Sequence, residues 1–117
     1  MRDFKKILFW KRSHELTLSI YGLTQNFPKT ETYGLTSQIR RAAASVPTNI
    51  AEGCGRLSKK ELSRFLVIAS GSLLEVEYLL LLSYELGYMT ESEFINLENE
   101  VNEIKKMIST YRRKVLN

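Results

Sequence analysis

Side chains that could perform acid–base or nucleophilic chemistry are few in this sequence. His14 is the only histidine, and no pattern around it suggests a paired base and nucleophile, so it fits a surface or interface position. Cys54 is the only cysteine and lies near a predicted helix C-terminus, where a thiolate is not stabilised. Glu75 and Glu77 are two residues apart and project to different sides of a helix. We therefore expect no enzymatic activity and no catalytic residues.

Motifs for cofactors, metals and small-molecule substrates are also missing from the sequence. A single cysteine supports neither an intramolecular disulfide nor a cysteine-based zinc site. The sequence contains no Walker-type loop, no dinucleotide fingerprint and no Glu-x-x-His motif. Gly71, between two serines, lies inside a helical pattern and favours close helix contact over phosphate binding. We expect no cofactor, no metal and no small-molecule substrate.

Basic side chains supply the remaining candidate chemistry, which is contact with a polyanion. The net charge is +4, but residues 1–64 hold 12 Lys and Arg against 5 Asp and Glu, whereas residues 65–117 hold 5 against 8. This asymmetry favours a basic face that meets a phosphate backbone; an ordinary solvated helix surface is the alternative. The candidate nucleic-acid-binding residues are Lys11, Arg12, Arg40, Arg41, Arg56, Lys59, Lys60 and Arg64.

Four helices are predicted to position these side chains, and no segment has the alternating pattern of a strand. Capping boxes at Ser58–Glu61 and Thr90–Glu93 begin the third and fourth helices, and Gly87 ends the third. The predicted helices are residues 11–26, 35–54, 58–86 and 90–115. Because short turns join them, we predict one all-α domain over residues 1–117, an antiparallel up-down-up-down four-helix bundle.

Pro47 falls inside the second predicted helix, where proline costs about 3 kcal/mol. The apolar stripe Ile39–Ala42–Val46–Ile50 keeps its phase across the proline. A break would allow the second half to change phase, so we predict that the helix is kinked at Pro47 and continues. The proline and the alanines before it then serve packing rather than chemistry.

The antiparallel order predicts that one end of the bundle is basic. The first and third helices begin at the same end, which brings together the clusters at residues 5–12 and 56–64. Helix N-terminal dipoles add to the positive potential there. The fourth helix returns its C-terminal sequence YRRKVLN to this same end.

The third helix is more apolar than a single buried face requires. Leu74, Leu79, Leu81 and Leu82 fall beside the core seam as well as in it, which favours a second buried surface and hence self-association. Glu75 lies in this apolar part, and we expect it to pair with Arg40 or Arg41. These adjacent arginines diverge by about 100°, so one can pair inward while the other faces solvent, and the sequence leaves open which. The predicted structural or interface residues are Asn49, Glu52, Gly53 and Glu75.

Neither a signal peptide nor a membrane-spanning run is expected. Charged residues interrupt the N-terminal sequence MRDFKKILFWKRSHEL throughout. The longest uninterrupted apolar run, Tyr78–Leu82, is far shorter than the roughly 20 residues that span a bilayer. A lone cysteine suits a reducing compartment. We expect a soluble, cytoplasmic protein.

Several stretches resemble a known bacterial family. The sequences YGLTSQIRRAAASVPTNIAEG, SKKELSRFL and IASGSLLEVEYLLLLSYELGYMTESEF resemble the 23S ribosomal RNA intervening-sequence proteins, whose genes were first noted within insertions in large-subunit ribosomal RNA genes. The resemblance implies an antiparallel four-helix bundle that assembles as a homopentamer. The chain is also similar to the accessory variability determinant of diversity-generating retroelements, which implies binding of nucleic acid and of a reverse transcriptase.

The family pattern coincides with particular positions of this chain. The matching residues are Arg40, Arg41, Asn49, Glu52, Gly53 and Arg56, whereas Cys54 occupies a position where the family often has an aromatic residue. We expect a non-enzymatic homo-oligomer that binds structured RNA or DNA through a basic face. The alternative is a protein-interaction scaffold that docks a partner such as a reverse transcriptase and has no direct nucleic-acid role.

Overall fold

The computed structural model describes residues 2–116 as four long helices, with no strand in that range. Short 3-10 turns precede the first two helices. The helices are α1 (Leu8–Thr24), α2 (Leu35–Cys54), α3 (Lys59–Glu85) and α4 (Glu91–Leu116). The predicted all-α fold is confirmed. α2 has the predicted bounds, whereas α1 begins three residues earlier than the predicted Lys11, because the 3-10 turn at Phe4–Lys6 leads directly into it.

The predicted capping box is complete at the start of α4, whereas at the start of α3 only the Ser58 half of it forms. Thr90 Oγ1 accepts from the Glu93 amide at 3.1 Å, and Glu93 accepts from the Thr90 amide at 2.9 Å. Ser58 Oγ accepts from the Glu61 amide at 3.0 Å and so satisfies one of the free amides of α3. Gly87, with φ of 82°, follows the end of α3 in the left-handed conformation that favours glycine.

Contacts at the two ends of the bundle show which helix termini lie together. Arg112 near the end of α4 donates to Ser63 Oγ near the start of α3 at 3.1 Å. At the opposite end, Arg40 near the start of α2 donates to Thr24 Oγ1, the last residue of α1, at 2.7 Å. These contacts favour the up-down-up-down order, which stays a prediction. In this order, one end of the molecule contains the starts of α1 and α3 together with the ends of α2 and α4. The molecule is about 44 Å long.

α2 continues through Pro47 as one helix, and a hydroxyl of a neighbouring helix lies beside the carbonyl whose bond proline removes. Proline has no amide hydrogen, so the carbonyl of Ala43, four residues earlier, loses its helical donor. Thr17 Oγ1 of α1 lies 3.1 Å from that carbonyl and 2.9 Å from the carbonyl of Ser13. The Thr17 hydroxyl is therefore close enough to donate to the Ala43 carbonyl, which has no helical donor because of Pro47. The kink at Pro47 stays a prediction.

Gly53 allows α2 and α3 to approach closely near the chain reversal between them. A Cβ atom on Gly53 would lie 2.9 Å from Phe65 Cβ and 3.2 Å from Leu62 Cδ1. Both neighbours are buried on α3, so neither has room to withdraw. The predicted structural role of Gly53 therefore has a direct steric basis.

α3 is long and apolar enough, by length and composition alone, to cross a membrane. Within this fold its inner face packs in the core against α2 and α4. A core helix of a soluble bundle has the same composition, so length and composition do not distinguish a core helix from a membrane-spanning one. Its outer face, however, keeps large apolar side chains exposed.

Candidate nucleic-acid interface

Basic side chains gather at the end of the bundle where α1 and α3 begin and α2 and α4 end. We call this the basic end. Its basic residues are Arg2, Lys5, Lys6, Lys11, Arg56, Lys59, Lys60, Arg64, Arg112, Arg113 and Lys114. Acidic residues there are Asp3, Glu52 and Glu61. Under the predicted up-down-up-down order, the two basic clusters meet on this end surface.

Lys59 and Lys60 occupy the first turn of α3, and both are exposed. Within residues 2–116, the ion pairs involve only Arg12, Arg64 and Lys105 on the basic side. Neither lysine makes an ion pair, and two positive charges at the positive end of the helix dipole are unfavourable for the helix, although Glu61 in the same turn offsets part of this effect. A bound anion would reverse that effect, since it would interact favourably with both lysines and with the helix terminus.

Arg56 and Arg64 share one aromatic ring at this end. Their guanidinium carbons lie 4.7 and 5.1 Å from the centroid of Phe65, which is itself buried. Arg64 Nε also donates to Glu61 at 3.1 Å. Stacking on a fixed ring limits the motion of both guanidinium groups while their remaining N–H donors stay available. The pair is therefore organised to donate to phosphate oxygens.

The C-terminal part of α4 adds three basic residues that were not among the candidates chosen from sequence. Arg112 is half-buried and is held by its bond to Ser63 Oγ, whereas Arg113 and Lys114 are exposed. The sequence signal was the run YRRK combined with the antiparallel order. Arg2 was also missed; its amide donates to the Cys54 carbonyl at 3.1 Å, which places it beside the end of α2.

Arg12 is engaged in packing between α1 and α4. Its guanidinium forms a two-pronged pair with the Glu100 carboxylate, with Nε–Oε1 and Nη2–Oε2 distances of 2.8 Å. The hydrogen bond to Glu100 raises the pKa of Arg12. Most of its donors are therefore occupied within the chain, and we assign it to the α1–α4 contact instead of the basic end.

Arg40 lies near the opposite end of the bundle from Arg56. From Arg40 to the end of α2 at Cys54 is fourteen residues, or about 21 Å at 1.5 Å per residue, and Arg56 follows that end. Arg40 donates to Thr24 Oγ1 and to the Tyr21 carbonyl at 3.2 Å, and its guanidinium lies 4.7 Å from the Tyr21 ring centroid. It thus satisfies a carbonyl at the C-terminus of α1. Arg41 is exposed at the same level of α2, so the structure does not bring either arginine to the basic end.

The predicted pairing of Glu75 with Arg40 or Arg41 is wrong within one chain. Glu75 is exposed on α3 and belongs to none of the ion pairs formed among residues 2–116. Arg40 turns toward α1 and Arg41 toward solvent, so the inward-facing member is Arg40. The error arose because the apolar run around Glu75 was read as buried, whereas much of it is uncovered in the single chain.

His14 and Cys54 lie in surroundings that indicate a structural role. The His14 ring stacks on Trp10 with centroids 5.2 Å apart and an interplanar angle of 6°. Cys54 is buried, and burial raises the pKa of its thiol. Among residues 2–116, no three side chains of the metal-binding types gather into a potential metal site.

Comparison with known proteins places the chain in a family. A family model described as 23S rRNA-intervening sequence protein matches residues 5–110. The chain belongs to this family. No curated protein matches the chain significantly. The fold is similar to the crystal structure of a protein of unknown function from the S23 ribosomal protein family of Bacteroides thetaiotaomicron VPI-5482, with 25% identity and a TM-score of 0.81, covering 90% of this chain and 98% of that chain.

The positions that the sequence resemblance singled out serve different parts of the structure. Asn49 Nδ2 donates to the Ser45 carbonyl at 2.8 Å and lies 3.0 Å from Ser45 Oγ, which in turn lies 2.9 Å from Ser72 Oγ on α3. Asn49 therefore supports the α2–α3 contact. Glu52 is exposed and makes no ion pair within residues 2–116. Arg56 alone of the matching arginines lies at the basic end.

Proposed function

We propose that this protein is a non-enzymatic, cytoplasmic homo-oligomer that binds structured RNA through its basic end. Its membership of the 23S rRNA-intervening sequence protein family relates it to ribosomal RNA. The observation that carries the proposal is the concentration of uncompensated basic side chains on one end surface, including Lys59 and Lys60. DNA offers the same phosphate chemistry and is the comparison ligand in the test.

The basic end suits a phosphate backbone better than base edges. Lysines at a helix N-terminus attract negative charge without a fixed geometry, and the arginine pair on Phe65 adds planar donors that match phosphate oxygens. Backbone contacts position a protein without selecting a sequence. We therefore expect strong salt dependence and little sequence preference.

Self-association would multiply these contacts. Large apolar side chains remain exposed along α3 in the single chain, which supports burial against another copy. If several copies present their basic ends together, individually weak phosphate contacts add through effective concentration. We propose that five copies assemble, as the family resemblance implies.

The binding test is fluorescence anisotropy of a labelled, structured ribosomal RNA fragment, titrated with protein at several salt concentrations. The logarithm of affinity should fall linearly with the logarithm of salt concentration, by about 0.7–0.9 per phosphate contact. Lys60→Glu should weaken binding and lower this slope by about 1. Lys29→Glu is the matched control, because it makes the same charge change at the opposite end.

Two outcomes would decide against this proposal. Absence of binding at low salt would show that the basic end is only a solvated surface. Equal loss from Lys60→Glu and Lys29→Glu would show that net charge, not this end, controls binding. If no binding is seen, the exposed apolar face of α3 favours the second candidate function, a scaffold that docks a protein partner, in which apolar substitutions on that face abolish partner binding.

A further inference from the structure

The outer face of α3 forms an apolar ridge that nothing in the single chain covers. Val67, Leu74, Tyr78 and Leu81 recur at spacings of seven, four and three residues, which places them on one side of the helix. Their exposed fractions are 48%, 58%, 60% and 40%. We call these four residues the ridge. Leaving so much apolar area in water along one line is unfavourable, and it is typical of an interaction surface.

A groove between α1 and α2 has the opposite shape. Its volume is about 460 Å³. Trp10 and His14 of α1 form one wall, and Ala44, Pro47 and Ala51 of α2 present little side-chain bulk on the other. Small residues allow another helix to approach closely, and the aromatic wall offers a large apolar contact area. A helix carrying a row of apolar side chains fits such a groove.

Charges on α2 and α3 have matching spacings in opposite order. Arg41 and Glu52 are eleven residues apart on α2, and Arg64 and Glu75 are eleven apart on α3. Eleven residues make about three turns, so each pair lies on one face of its helix. When an α3 runs antiparallel to an α2, Arg41 meets Glu75 and Glu52 meets Arg64. All four residues are exposed, and neither cross-helix pair forms within one chain.

We propose that the ridge of one copy docks into the α1/α2 groove of a second copy, with Arg41–Glu75 and Glu52–Arg64 pairs along its edge. The inference rests on the self-association part of the proposed function and is independent of RNA binding. Ridge and groove are different surfaces, so the contact is heterologous. An open row of copies then has an unused ridge at one end and an unused groove at the other until a ring closes.

This contact also determines how the copies are oriented. Within a chain the end contacts place α2 and α3 antiparallel, so a neighbour whose α3 is antiparallel to this α2 has its whole bundle aligned in the same direction. The basic ends of all copies then lie on one face of the ring. A single RNA could contact several of them at once, which relates the interface to the proposed binding.

The test measures molar mass by light scattering after size exclusion, with helix content followed by circular dichroism. Leu74→Glu/Tyr78→Glu removes the ridge, and Ala44→Glu/Thr48→Glu blocks the groove. Each variant alone should have the mass of one chain, whereas wild type has that of an oligomer. Leu57→Glu/Ile95→Glu is the control, because it charges two exposed apolar residues outside both surfaces and should leave the mass unchanged.

Mixing the two blocked variants distinguishes a heterologous contact from a two-fold one. The groove variant still has a ridge and the ridge variant still has a groove, so an equimolar mixture should form a complex of two chains and stop there. Failure of the mixture to associate, with wild type oligomeric, would overturn the proposal. A wild type that stays monomeric at all concentrations would overturn it as well.

Charge exchange provides a second test that leaves the apolar surfaces intact. Arg41→Glu and Glu75→Arg should each weaken association by about tenfold, which corresponds to about 1.4 kcal/mol, and the double variant should recover most of that loss. Losses that simply add in the double variant would refute the Arg41–Glu75 contact. Because mass is measured without RNA, loss of RNA binding by an intact oligomer contradicts only the proposed RNA function.

Discussion

Replacing Thr17 with valine tests whether α1 compensates for the proline in α2. Valine has nearly the shape of threonine but no hydroxyl, so the Ala43 carbonyl would lose the donor that lies 3.1 Å away. Thr17 is 9% exposed, which leaves little water to replace that bond. An unsatisfied buried polar group costs about 1–3 kcal/mol. Because the Thr17 hydroxyl is shared with the Ser13 carbonyl, we expect the lower part of that range, about 1–2 kcal/mol.

The assay is urea unfolding followed by circular dichroism at a fixed protein concentration, since association would otherwise add to stability. Thr17→Val should lower the midpoint without changing the slope. Thr110→Val is the matched control, because the exposed Thr110 hydroxyl oxygen accepts only from Arg113 of its own helix, at 3.4 Å, and lies outside the ridge and the groove. This control should change the free energy of unfolding by less than about 0.5 kcal/mol.

A double-mutant cycle with Pro47→Ala tests whether the cost of Thr17→Val comes from the Ala43 carbonyl that proline leaves without a donor. An alanine at position 47 restores the amide that can donate to the Ala43 carbonyl, so Thr17→Val should then cost about 1 kcal/mol less than in wild type. An equal cost in both backgrounds would refute the reasoning, because it would show that Thr17 contributes through packing or its own helix and not by serving the carbonyl that Pro47 leaves free.

Two further predictions concern glycine packing and alkaline pH. Gly53→Ala should lower the free energy of unfolding by about 1–3 kcal/mol, because the new Cβ would lie 2.9 Å from Phe65 Cβ; Gly71→Ala, with no atom within 4 Å, should be neutral or stabilising in the same thermal melts. The hydrogen bond that Tyr88 donates to Glu31, at 2.9 Å, raises the pKa of Tyr88 above its ordinary value of 10.0. The folded state therefore holds this proton more tightly, so the contribution to stability is fully present below about pH 10 and is lost as pH rises through the raised pKa. Unfolding measured from pH 8 to 11 should decline less steeply for Tyr88→Phe than for wild type, and identical profiles would contradict this account.

Helix positions could be predicted because their signals are local. Capping residues act within one turn, and apolar spacing reports which face of a helix is buried. The boxes at Ser58 and Thr90 and the glycine at position 87 consequently mark the observed helix boundaries. The basic end followed from the same information, because antiparallel order alone determines which termini lie together.

The partners of individual side chains could not be predicted in this way. Arg40 was expected to meet Glu75 on the next helix, yet it donates to Thr24 on the preceding one. Both options were compatible with its position on α2. The rotation of α2 about its axis decides between them, and that rotation results from packing against α1 and α3 together.

The sequence by itself determined that this protein is all-α and where α2, α3 and α4 begin and end to within one residue, and it predicts that basic residues collect at one end. These properties depend on interactions within a few residues or on chain direction. Only the tertiary structure decided that Thr17 serves the carbonyl freed by Pro47, that Phe65 supports two arginines, and that the ridge stays uncovered. Those contacts join residues distant in sequence, and their geometry depends on how all four helices pack at once.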